Sequence, residues 1–258
     1  MINLLKMGSI VARLIIAILM ILLAIMTIYF LSSSSIDESI KIKLLDIKNN
    51  SYPFTIQNIM WIFFYIGIGE LLYRLIVSKH IHYEISLKLL PESEESMLTT
   101  SDTRNMYPKI KNYTKKESLL PLFIKKLIAH FQSTKSIAQT QELFNSLIDI
   151  RYSEMNTDYS MIRYITWIIP TLGFIGTVVG ISQALSYAAA NDPTSKTFLA
   201  NLTGKLGVAF DTTLVALLMS AFLVFFLHII ESYEEKTLGK LEEYILDNFI
   251  TRLYINHK

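Results

Sequence analysis

The chain has 258 residues, of which 52% are hydrophobic, and its mean hydropathy of +0.39 is too high for an ordinary soluble domain, so it reads as an integral membrane protein. Its 24 Lys and Arg against 22 Asp and Glu leave a net charge of only +2, which excludes the strongly basic surface of a nucleic-acid-binding protein. Without a cysteine it can have no disulfide, no thiol catalysis and no cysteine-ligated metal.

Residues 1–13, with Lys6 and Arg13, precede an uncharged apolar run at 14–31. The run resembles a signal peptide in its flanks, but it exceeds a typical apolar region and lacks an Ala-x-Ala site before the serines at 32–35. It is therefore expected to stay as the first membrane span. In the 32–55 loop, Ser35 and Glu38 have the spacing of a capping box, and Ile36, Ile40, Leu44 and Ile47 recur at helical intervals. Either a short helix on the outer membrane surface or a solvated loop fits that pattern.

A second span is expected at 56–77, a largely apolar run whose only charges are Glu70 and Arg74. These two stand four apart and can pair on one helix face; an interfacial or snorkelling pair is the simpler reading, a role in transmission the other. The 78–163 region follows. His80 and His82 fall on different faces of a helix and read as an interfacial, solvated pair rather than metal ligands. Residues 91–117, polar and containing Pro91 and Pro108, read as an exposed connection. From Leu119 the pattern Leu122, Phe123, Leu127, Ile128, Phe131, then Phe144, Leu147 and Ile148, predicts amphipathic helices, the last continuous with the next span.

The third span is expected at 164–190 and the fourth at 206–230, joined by a short loop at 191–205; 231–258 continues as an amphipathic helix with Leu238, Leu241, Ile245 and Phe249 on one face. Each apolar run suffices to cross about 30 Å of hydrocarbon. Twelve Lys or Arg lie between Lys79 and Arg163, against three in the 32–55 loop and two, Lys196 and Lys205, around the third connection. The positive-inside tendency places 78–163 and both termini in the cytoplasm. The fold class is thus all-α: four transmembrane helices with a cytoplasmic helical region, packed either within one chain or against neighbouring copies in an oligomeric ring.

The last two spans each carry a stripe of small residues. By helical arithmetic Gly173, Gly176, Thr177, Gly180 and Ala184 share one face, as do Ala209, Thr212, Thr213, Ala216 and Ser220. Close helix packing explains glycines of this kind, and a membrane threonine commonly bonds its own backbone. Hydroxyls on both stripes, together with Pro170, which weakens the third span, raise the alternative that the stripes serve passage. The glycines follow no strand and so form no phosphate loop. No nucleophile, base and orienter recur at useful spacing, so no catalytic set is assigned.

The run Ile169-Pro170-Thr171-Leu172-Gly173-Phe174-Ile175-Gly176-Thr177-Val178-Val179-Gly180-Ile181, followed by Leu206-Gly207-Val208-Ala209-Phe210-Asp211-Thr212-Thr213-Leu214-Val215-Ala216-Leu217, resembles the paired membrane helices of the MotA/TolQ/ExbB proton channel family. The resemblance implies a bacterial inner-membrane channel subunit, a homopentamer around a dimer of a single-span MotB/ExbD/TolR-like partner. That partner's helix carries an aspartate that takes up and releases the ion, H⁺ with Na⁺ also open. It further implies that Pro170 marks the cytoplasmic end of the third span, that Thr177 and Thr213 face the partner helices, and that no cofactor is needed. The other stripe residues would pack against the partner, with membrane lipid outside.

Some positions depart from the family pattern. A glutamate common in the nutrient-uptake branch is here Val208, and a proline farther along the fourth span is Phe222. Asp211 is the nearest acid, though it lies roughly opposite the Thr213 stripe; it is expected either in the ion pathway with Thr212 or at an interface. Four spans with the large segment between the second and third follow the flagellar-stator arrangement, whereas the local motifs look more like TolQ and ExbB. The rival reading is a non-conducting oligomeric scaffold that recruits cytoplasmic partners.

Overall fold

The computed structural model describes residues 9–49, 51–92, 97–113 and 118–254, with side chains except at 9, 10, 111 and 112; Lys6 lies outside the described residues. Seven α-helices are described: α1 (Ser9–Ser33), α2 (Glu38–Leu45), α3 (Ile56–Ser86), α4 (Thr100–Tyr113), α5 (Leu119–Thr134), α6 (Ile137–Ala190) and α7 (Phe198–Ile245), the last followed by a π-helical turn, Leu246–Ile250. Helices α1, α3, α6 and α7 are each long and apolar enough to cross a membrane. The protein is a multi-pass all-α membrane protein with four candidate spans.

At 54 and 48 residues, α6 and α7 are more than twice the roughly 20 residues that a crossing needs. The amphipathic region before the third span is therefore continuous with it back to Ile137. Helix α7 begins at Phe198, earlier than the apolar pattern suggests, because its first turns carry Asn201, Thr203 and Lys205.

The chain divides into two compact units. One, Leu14–Leu72 with Ser160–His228, holds the apolar helices. Its α1 leaves Leu14, Ile18, Leu22 and Met26 exposed, the surface that a lipid environment covers. Two glycines on α3 permit close approach: a Cβ added at Gly67 would lie 3.1 Å from Leu223, and one at Gly69 only 2.7 Å from Met20 of α1. Helix α2 forms where the periodicity allowed it, but its N-cap is Asp37, which accepts the Ser39 N–H at 3.0 Å, rather than Ser35. The helix stops at Leu45 because Asp46 turns left-handed at φ 52°. The Thr55 hydroxyl and the Trp61 indole N–H donate to the carbonyls of Leu45 and Leu44, at 3.0 and 3.1 Å, pinning the end of α2 to the start of α3.

The other unit, Met1–Arg13, Tyr73–Tyr159 and Ile229–Lys258, has a conventional hydrophobic core. Leu120, Ile124, Leu127 and Phe131 of α5 bury one helical stripe against Phe144, Leu241 and Ile245. The start of α5 is capped from another helix: Glu84 on α3 accepts the Leu120 N–H at 3.0 Å, where the helix N-terminus favours a carboxylate.

The 91–117 segment, expected as an exposed connection, contains α4. Its polar sequence and internal Pro108 hid it. A reciprocal cap forms it instead: the Asp102 carboxylate accepts the Thr99 N–H at 3.0 Å, and Thr103 and Ile110 are buried. Just before α4, Leu98 pairs with the C-terminal segment, its N–H donating to Arg252 and its carbonyl accepting from Tyr254.

Candidate functional site

The two small-residue stripes meet each other. A Cβ built at Gly173 would stand 2.4 Å from the Ala216 Cβ, one at Gly176 would stand 2.4 Å from the Thr212 methyl, and one at Gly180 would stand 2.6 Å from the Ala209 Cβ. Real Cβ atoms do not approach so closely, so glycine at these three places is what lets α6 and α7 touch backbone to backbone. Ala184, Ala209 and Ala216 are buried with them, and Ser220 donates to the Thr166 carbonyl at 2.9 Å. Within the chain this face serves helix packing.

At the edge of that contact the hydroxyls of Thr177 and Thr213 touch directly. Each also has a carbonyl on the opposite helix within reach: Thr213 donates to Gly173 at 2.9 Å, and Thr177 to Ala209 at 3.1 Å. A hydroxyl has one proton and two lone pairs. The pair has two protons for these three contacts, and each oxygen retains acceptor capacity.

Both threonines are half-buried, and on their open side stand exposed Phe174 and Val178 of α6 and Phe210, Leu214 and Leu217 of α7. Pro170 is half-buried one turn before Gly173. Thr212 packs its methyl in the same seam but turns its hydroxyl to α3. It is buried, donates to Val208 and accepts the Gln57 amide N–H at 2.8 Å, tying α7 to α3. Gln57 was not singled out from sequence; a polar residue at the start of an apolar span was the available signal. Asp211 points away from the threonine pair, with its carboxylate 4.0 Å from Lys43 of α2.

A second polar centre sits in the other unit. Arg74, buried to 1% exposure, reaches well beyond its own helix: Nη2 is 2.6 Å from Asp158 and Nη1 is 3.5 Å from Glu234. Asp158 shares its other oxygen with Arg13 at 2.8 Å. Glu234, fully buried, also accepts the Tyr159 hydroxyl at 3.0 Å and lies 3.7 Å from Arg151. Burial raises the Glu234 carboxyl above its ordinary pKa, opposed by the Tyr159 hydrogen bond and the Arg151 charge. Asp158, Tyr159 and Glu234 were not singled out as a site from sequence, because partners so distant along the chain leave no local pattern. His80 stands 3.2 Å from Glu84, and no cluster of three metal-ligating side chains occurs among the described residues.

The family model of the MotA/TolQ/ExbB proton channel family matches residues 115–243, half of the chain, including α5, α6 and most of α7. The protein belongs to the MotA/TolQ/ExbB family. Searches of curated proteins and of solved structures return no match. Family membership makes the chain a non-enzymatic transport protein, a proton channel subunit of a motor-type complex that works with MotB/ExbD/TolR-type partners. The match begins after α4, so the contributions of α3, Gln57 and Arg74 among them, lie outside the part that defines the family.

Proposed function

We propose that the chain is the channel-forming subunit of an ion-motive-force-driven motor in the bacterial inner membrane, with both termini cytoplasmic, assembled as a pentamer around two single-span partners. Ions, H⁺ with Na⁺ as the alternative, pass along the Thr177 and Thr213 hydroxyls to an aspartate on the partner helix, and the cycle turns or pushes that helix. The observation that carries this reading is the contact of the two hydroxyls at the open edge of the α6–α7 seam. The carboxylate that loads and releases the ion would belong to the partner, since Asp211 lies toward Lys43.

The roles within the stripes divide accordingly. Gly173, Gly176 and Gly180 hold α6 and α7 together, and the surface offered to the partner is the neighbouring strip of Phe174, Val178, Leu214 and Leu217. A carboxylate moved into low dielectric has its pKa raised, so it can load a proton from one side and lose it to the other. Each charge crossing 100 mV makes about 2.3 kcal/mol available.

Crosslinking tests the orientation cleanly, because the chain has no cysteine of its own. A single cysteine replacing Phe174 or Leu217 is expected to form a disulfide with a cysteine in the partner's helix, whereas one replacing Leu22 on the exposed face of α1 is not. Crosslinking from Leu22 alone would put the partner on the wrong face and reject the assignment.

A further inference from the structure

A cavity of about 510 Å³ opens in the unit that contains the Arg74 centre, a size that suits a small ligand or part of a larger one. Three guanidinium groups, Arg13, Arg74 and Arg151, line it, with two carboxylates, Asp158 and Glu154. Arg13 and Arg74 share Asp158. Glu154, mostly exposed, is 3.3 Å from Arg151, and Glu234, which is not in the lining, meets Arg151 only at 3.7 Å. Both separations exceed the roughly 2.7–2.9 Å of a good charge-assisted bond. The Arg151 Nε is buried and has no hydrogen-bond acceptor.

Of the remaining lining, Val77, Ile81 and Leu122 give an apolar wall, Ser118 and Thr157 add hydroxyls, and Tyr73 and His80 add their rings. By sequence, Arg13 immediately precedes the uncharged 14–31 run and Arg74 falls in the last turn of the 56–77 span. Those are the places along the chain that correspond to the headgroup level on the basic side of a membrane, where pockets of this composition bind acidic headgroups.

We propose that this cavity binds the phosphate of an acidic phospholipid headgroup, with Arg151 and its guanidinium neighbours on the phosphate oxygens and the Val77, Ile81 and Leu122 wall against the glycerol and first acyl carbons. Guanidinium groups match phosphate geometry through paired N–H donors. The phosphate offers Arg151 closer acceptors than the carboxylates at 3.3 and 3.7 Å. It also keeps that cation in place without a further buried carboxylate.

The test uses the full-length chain with its co-purifying partners in mild detergent, titrated with phosphatidylglycerol or phosphatidylcholine of identical acyl chains and read by native mass spectrometry. Phosphatidylglycerol is expected to be retained in preference, and Arg151→Gln should weaken its binding by about tenfold, the scale of one charge-assisted hydrogen bond, with Arg151→Lys recovering part of it. Leu122→Trp keeps every charge and fills the apolar side, so it should also lower retention and serves if Arg151→Gln does not fold. Inorganic phosphate added at millimolar concentration separates the sources. Displacement of phosphatidylglycerol by phosphate supports the shared phosphate site. Protection by phosphate with no lipid preference supports the chemistry but assigns it to a soluble anion. Equal retention of the two lipids with no effect of phosphate, or preference unchanged in both variants, overturns the proposal.

Discussion

Thr177 and Thr213, 36 residues apart in sequence, touch hydroxyl to hydroxyl where α6 and α7 come together. The contact depends on glycine, because only the missing side chains of Gly173 and Gly180 bring the two backbones close enough for each threonine to reach a carbonyl on the other helix.

Gly173→Ala should therefore damage the seam. The new Cβ meets Ala216 at 2.4 Å, and overpacking of this kind costs about 1–3 kcal/mol. Thermal unfolding of the purified complex is expected to show the loss, and adding Ala216→Gly should return part of it. A Gly173→Ala protein as stable as the parent would mean that the helices are not packed at this point.

The Arg74 centre gives a second prediction. Replacing Arg74 by Met takes a cation from buried Glu234, and breaking a buried pair from one side costs about 3–5 kcal/mol. Glu234→Gln removes a buried carboxylate left with one cation fewer, so the double variant should be more stable than Arg74→Met alone. Strict additivity of the two substitutions in a double-mutant cycle would show that the residues do not interact.

Glu84 yields a pH dependence. Its carboxyl is raised above the ordinary value chiefly by burial, opposed by hydrogen bonds from Leu120, Ser118 and Leu119 and by the charge of His80. A carboxyl that holds its proton more tightly when folded stabilises the fold below the ordinary glutamate pKa, and that contribution is lost as pH rises through the raised value. The stability of the parent relative to Glu84→Gln should thus fall as pH rises through that window, measured with His80→Asn in both proteins so that the neighbouring imidazole contributes to neither. A difference that is flat or rises with pH contradicts the assignment.

The parts of the fold that were legible in sequence are those carried by local pattern. Uncharged runs such as 14–31 mark the spans directly, and the amphipathic stripe of α5 follows from Phe123, Leu127, Ile128 and Phe131 recurring at helical intervals. The stripes of α6 and α7 were visible too, but periodicity says that a face is smooth without saying what it meets; Gly176 against Thr212 is a fact of tertiary structure. Helix α4 was hidden by Pro108 and polar composition. The Arg74 centre was hidden because the nearest local partner on α3 was Glu70, whereas Asp158 and Glu234 arrive from α6 and α7.

The hydroxyl contact itself is the most direct object of test. Proton flux through vesicles containing the chain and its single-span partner is expected to fall by at least about tenfold in the Thr177→Val, Thr213→Val double variant, the effect of removing one hydrogen-bonding step of 1.4 kcal/mol. Thr177→Ser with Thr213→Ser, which keeps both hydroxyls, should conduct near the parent rate. Parent-level flux in the double valine variant, with the complex intact, would contradict the placement of the ion pathway at these two residues.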